Sequence, residues 1–209
     1  MKGTDEDSLM EIICSRPNPI LKKIKEKYKK KIGKDLESDL KSDIKGDLQK
    51  ILLSIIQLLR RDNKKTNIEE CQNKGKKLQE ARVKKWKTDE STFSQIFSTL
   101  SPEELIYILQ EYHKITVDTI LEVIDKEFSG NMKKAFKAIV YTMLSPSEYF
   151  VIRVKDAIKG FGTNYNLLMR ILISKDEIDM QQFKYFYSKL YGKNMVSDIK
   201  TDNGGIIKN

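Results

Sequence analysis

The sequence predicts an all-α protein made of repeated helical modules, and three observations lead there. Apolar residues recur at helical spacing across the 209 residues, and no strand-like period of two is present. Three segments align on a threonine: KGTDEDSLMEII around Thr4, WKTDESTFSQIF around Thr88 and FGTNYNLLMRIL around Thr163. Thirty-nine residues after each threonine stands a carboxylate (Asp43, Glu127, Asp202), and three residues further a glycine (Gly46, Gly130, Gly205).

The elements of module one set the pattern. Thr4 reads as an N-cap, with Asp7 three residues on in place of the usual Glu of a capping box, ahead of Leu9, Ile12 and Ile13. Ser15-Arg16-Pro17-Asn18-Pro19 ends that helix and opens a second, marked by Leu21, Ile24 and Tyr28. Gly33 punctuates, Leu36 and Leu40 give a short third helix, and Asp47–Arg60 forms a fourth. The same apolar offsets return in the other modules: Leu9, Phe93 and Leu168 five residues after the threonine, and Tyr28, Tyr112 and Tyr187 twenty-four after it. In module two Ser101-Pro102-Glu103-Glu104 is a strong helix start.

The threonines lie 84 and then 75 residues apart, and the excess falls in a charged stretch that reads as a linker running into a helix. The organisation is therefore a first module over 1–60, a linker over 61–75, and modules over 76–145 and 146–209. Module one lacks the helix that precedes the threonine loop elsewhere, and module three stops four residues after Gly205. Either the chain belongs to a larger repeat protein, or it pairs its exposed faces with a partner.

Apolar residues make up 39% and charged residues 33%, a balance that suits a globular protein and excludes a disordered one. The net charge of +9 favours acidic partners, membrane headgroups or nucleic acid, against the plainer reading of a lysine-rich solvated surface. Cys14 and Cys71 form no short-spaced pair, so neither a disulfide framework nor a zinc site is expected, and reduced thiols fit a cytoplasmic protein. The N-terminus has no apolar core of a signal peptide, and the run Ile51–Leu59 is far short of a bilayer span, so membrane contact would be peripheral.

The chemistry lies in Ile158-Lys159-Gly160-Phe161-Gly162-Thr163 with Asp202. Glycines at alternate positions let a loop turn its carbonyl oxygens to one side. Several carbonyls, one carboxylate and water are what calcium accepts: hard oxygen ligands, six to eight in number, in loose geometry. The plain alternative is a helix-connecting turn with a solvated aspartate.

K-G-x-G-T, with an acidic residue near 39 and then a glycine, resembles the annexin repeat. SLMEIICSRPNPILKKIKEKY, KDLESDLKSDIKGDLQKILLSI and LLMRILISKDEIDMQQFKYFY are similar to annexin repeats along their lengths. The similarity covers nearly the whole chain apart from 61–75, and the modules resemble the second, third and fourth repeats of a four-repeat annexin. The resemblance implies up to five helices per repeat in a curved superhelical disc whose convex face carries calcium and meets acidic phospholipid. Carried over by position, it implies a complete calcium site in module three: the carbonyls of Ile158, Gly160 and Gly162 with the carboxylate of Asp202. It implies a partial site in module one, where Gly3 and Asp43 remain but Met1 replaces the earlier glycine. Module two keeps Glu127 as a degraded site, with Arg82 and Lys87 where annexins place glycine. A minor site of threonine carbonyl and carboxylate is open at Thr4/Glu6 or Thr88/Glu90. Trp86, flanked by Lys85 and Lys87, stands in the loop that annexins present to the bilayer, and an indole among lysines suits that interface; the plain alternative is a tryptophan folded back on its own helices.

The expected function is calcium-dependent binding to acidic phospholipid. The alternative is a calcium-independent scaffold or cytoskeleton-associated protein that meets anionic surfaces through its lysines. No enzyme is expected, because His113 is the sole histidine and has no nucleophile arranged around it. Specific nucleic-acid recognition is not expected either, because the lysine runs lack interleaved aromatics and arginines.

Overall fold

Thirteen helices and no strand form among the described residues of the computed structural model, which are 4–60, 65–83, 89–159, 162–174 and 177–203. Module one contributes α1 (Glu6–Ser15), α2 (Asn18–Ile32), α3 (Leu36–Asp43) and α4 (Gly46–Ile56). Module two contributes α5 (Ile68–Arg82), α6 (Glu90–Thr99), α7 (Pro102–Ile115), α8 (Ile120–Glu127) and α9 (Gly130–Leu144). Module three contributes α10 (Pro146–Ala157), α11 (Tyr165–Ile173), α12 (Glu177–Tyr191) and α13 (Met195–Asn203). The chain divides into two compact units, residues 1–144 and 145–209.

In the first unit, modules one and two pack first helix on last helix: α1 lies on α9, and α4 lies on α6. The seam is polar at its edges, where Lys134 reaches Asp7 at 2.7 Å, Asn131 donates to Glu6, and the Ser54 and Ser98 hydroxyls meet at 2.9 Å. Beneath it Phe93, Phe97, Phe128 and Phe136 pack with centroids 4.8–6.0 Å apart, mostly edge to face, as aromatic quadrupoles prefer.

Glycine follows the carboxylates of modules one and two for a backbone reason. Gly46 and Gly130 hold φ of +70° and +53° at the starts of α4 and α9, a left-handed turn that a side chain would strain. The turn lets the chain leave the carboxylate and begin the next helix within three residues.

Two readings of the helix ends need correction. The cap of α1 is Asp5, whose carboxylate accepts from the Ser8 N–H at 3.0 Å, and not Thr4. Thr4 instead turns its hydroxyl to Asp43. The fourth helix stops at Ile56, short of Arg60. Leu58 takes φ +62°, and the Asn18 amide donates to the carbonyls of Leu58 and Arg60 at 3.3 and 2.9 Å. Arg60 itself turns inward, donating to the carbonyls of Cys14 and Arg16 at 3.1 and 3.0 Å. The Cys14 thiol beside it is fully buried, and that burial pushes its pKa up to about 12. The double proline start of α2 and the capping box of Ser101 and Glu104 at α7 form as the sequence predicts.

In the second unit α10 packs against α11 and α12. Tyr187 donates to Asp198 at 2.6 Å and Lys155 joins the same carboxylate at 2.7 Å. Those two hydrogen bonds, the lysine's first, hold the Asp198 pKa down to about 2. Module one repeats the pair as Tyr28 to Asp39 at 2.7 Å, whereas the same register position in module two is Val123. The helices after the threonines also differ. Met10 and Cys14 of α1 are 2% and 0% exposed beneath α9, but their counterparts Met169 and Ile173 of α11 are 50% and 74% exposed.

Candidate functional site

Each module enters the helix after its threonine, α1, α6 or α11, through the same turn. The cap residues Asp5, Asp89 and Asn164 have φ, ψ of −77°, 83°; −77°, 87°; and −77°, 85°. Their side-chain oxygens accept from Ser8, from Ser91 and Thr92, and from Leu167, which satisfies helix N–H groups that have no partner inside the helix. A main-chain bond closes the loop behind the cap. The Asn164 N–H reaches the carbonyl of Ala157 at 2.7 Å, and the Asp89 N–H reaches that of Ala81 at 3.1 Å. Ala81 and Ala157 are thus structural equivalents, and the module-two loop is one residue longer.

In module three, the hydroxyl of Thr163 donates to the carboxylate of Asp202, half-buried near the end of α13. Segments 39 residues apart meet here, and Asp202 stands against the residue that follows Gly162. Gly162 is exposed with φ +95°, a conformation in which any side chain would be strained. Ile158 is buried and closes the C-terminal end of α10. Gly160 lies outside the described residues. In module one the equivalent contact is looser: Thr4 donates to Asp43 at 3.4 Å, and Asp43 also accepts from Ser42 at 2.8 Å. Gly3 lies outside the described residues. Glu6, the minor-site carboxylate, is engaged by Asn131.

Module two is built differently. Arg82 ends α5 directly after the anchoring Ala81, and its guanidinium gathers what surrounds it. Nη2 donates to Asp118 at 2.5 Å, Nη1 donates to the Thr116 hydroxyl at 3.3 Å, and Nε lies 3.9 Å from the Glu127 carboxylate. Lys126 holds the other oxygen of Asp118 at 2.6 Å. Burial, the largest single influence, would lower the pKa of Arg82, but the hydrogen bonds and charges of Asp118 and Tyr112 together outweigh it and raise the value. Asp118 is shifted down, first by Lys126 and then by Arg82. Lys85, Trp86 and Lys87 lie outside the described residues.

Among the described residues, no group of three or more His, Cys, Asp or Glu is placed to share an ion. The donor set expected in module three, carbonyls with one carboxylate, would be all oxygen, which is the set calcium prefers.

An annexin family model matches residues 1–55, 76–139 and 149–209. The chain belongs to the annexin family. Annexin A4 of Mus musculus is 34% identical over 203 residues, which cover 97% of this chain and 64% of that protein. A solved structure of annexin A8 aligns with a TM-score of 0.90 at 32% identity, covering 97% of this chain and 63% of that one. A calcium-bound annexin (Sm)1 aligns with a TM-score of 0.84 at 25% identity, covering 97% and 62%. The chain thus spans less than two thirds of each of these annexins.

Reading the annexin register found Asp43, Glu127 and Asp202 but missed the residues that answer them. The threonine hydroxyls of modules one and three were taken for caps and loop markers. Asp118 was missed altogether, although a signal exists. Thirty residues after the threonine, modules one and three carry Lys34 and Lys193, and module two alone carries an acid.

Proposed function

We propose that this annexin binds acidic phospholipid membranes peripherally and in a calcium-dependent way, with module three as the principal site. The carbonyls of Ile158, Gly160 and Gly162 and the carboxylate of Asp202 would hold the ion, and a lipid phosphate oxygen would replace a bound water. Calcium supplies the charge that draws the phosphate in. The chain's own residues set the place: Gly162 turns the loop, Asn164 fixes its exit, and Thr163 holds Asp202 against it. The observation that carries the reading is the Thr163–Asp202 contact across 39 residues. The annexin family membership and the calcium-bound annexin neighbour support it. Module one, with Gly3 and Asp43, would give a weaker site. No helix among the described residues is long and apolar enough to cross a membrane, in keeping with surface attachment.

A second reading applies to module two, because Arg82 already stands beside Glu127. There Lys85, Lys87 and Trp86 would meet the lipid without calcium, each lysine contributing about 1 kcal/mol near an anionic surface. A cytoskeletal or other protein partner would then reach the same anionic-surface face. Sedimentation with phosphatidylserine vesicles in calcium and in EGTA tests both. Asp202→Ala is expected to raise the calcium needed for half-maximal pelleting at least tenfold while leaving the EGTA-resistant fraction unchanged. Equal pelleting of both proteins across the calcium range would overturn the assignment of Asp202.

A further inference from the structure

We infer that Arg82 is the resident cation of module two, holding Glu127 and the approach to α8 together with a fixed charge where the sister modules leave the carboxylate to a hydroxyl. The inference goes beyond the membrane reading and borrows from it only the comparison with module three; the contacts of Arg82 stand without it.

Position comes first. Ala81 and Ala157 anchor their loops through the same main-chain bond, so Arg82 leaves the anchor where Ile158 does in module three. Its side chain is 21% exposed, and those of Asp118 and Glu127 are 24% and 33%, so the group is partly withdrawn from solvent screening. Shape comes second. A guanidinium carries five N–H groups in a planar fork and can serve Thr116, Asp118 and Glu127 together, which a lysine ammonium does with far less directional control. Charge comes third. Arg82 and Lys126 face Asp118, and Arg82 also faces Glu127, so a divalent ion placed at Glu127 would meet a full positive charge beside it. The acid and the base are matched within the chain. Modules one and three carry Lys34 and Lys193 at the register position of Asp118, and module three has Ile158 after its loop anchor.

The consequence is a division of labour. The cluster around Arg82 is held at every calcium concentration, whereas module three answers to the ion. A lanthanide tests this directly, because Trp86 is the sole tryptophan and lies four residues from Arg82. Trp86-sensitised terbium emission would be titrated on the full chain, the Arg82→Gly and Arg82→Gln variants, and each combined with Glu127→Gln. The wild type is expected to give weak emission that Glu127→Gln leaves unchanged. Arg82→Gly should gain at least tenfold in sensitised emission at saturation, and the added Glu127→Gln should remove that gain. Arg82→Gln keeps length and hydrogen bonding while losing charge, and serves if the glycine variant does not fold. Wild-type emission that falls in Glu127→Gln would overturn the inference, as would a folded Arg82→Gln with no gain. Neither outcome touches Asp202, so the reading of module three stands or falls separately.

Discussion

Modules two and three enter the helices after their threonines through the same turn and differ in what faces their carboxylate. Asp202 meets the neutral hydroxyl of Thr163, and Glu127 meets the guanidinium of Arg82. The supporting networks are exchanged as well. Module three anchors its tyrosine to an aspartate, Tyr187 to Asp198, and module two replaces that aspartate with Val123 and gathers its charge around Arg82 instead. The lesson is that an annexin module can keep its entry turn while the group facing its carboxylate changes from a neutral hydroxyl to a guanidinium.

The largest effect expected on this contrast comes from Asp198→Asn. It removes the acceptor charge shared by Tyr187 and Lys155, and the second unit should lose about 2 kcal/mol, the range for hydrogen bonds to charged groups. Urea unfolding checks it. The pH dependence has a definite sign, because the folded pKa of about 2 lies below the ordinary carboxylate value. The contribution is present above about pH 4 and is lost as pH falls towards 2. Asp198→Asn should flatten that part of the melting profile, and an unchanged profile would mean the network adds nothing.

A smaller effect is expected in module two. A double-mutant cycle of Arg82→Gln and Asp118→Asn should give a favourable coupling that urea unfolding resolves from zero. Coupling indistinguishable from zero would leave the guanidinium a bystander. Smallest, and the same in both modules, are the caps. Asp89→Ala and Asn164→Ala should each cost about 1 kcal/mol in thermal denaturation. A much larger loss in one module alone would mean that the shared turn is held by different forces.

Much of this was legible in the sequence because the module repeats. Threonine, the carboxylate 39 residues on and the glycine after it stand in one register, and two of those glycines adopt the positive φ that explains them. Proline at the starts of α2 and α7 marked real boundaries. Other features were hidden because they depend on distant partners. Thr4 and Asp5 are both good caps, and nothing local says that the threonine hydroxyl has an acceptor at Asp43. The fourth helix looked apolar as far as Leu59, but its end is set by Asn18 and by Arg60 turning to Cys14 and Arg16. That an arginine stands in the module-two loop was visible; that it takes the place of Ile158 and not of a glycine, and meets three groups from α8 and its approach, was not.

The identical entry turns at Asp5, Asp89 and Asn164 carry an evolutionary consequence. Because the caps that frame these turns need no ion, the side chains around a loop can change without passing through an unfolded ancestor. A chain of such modules can therefore be tuned one at a time, with some made into sensors of a passing signal and others left permanently switched on.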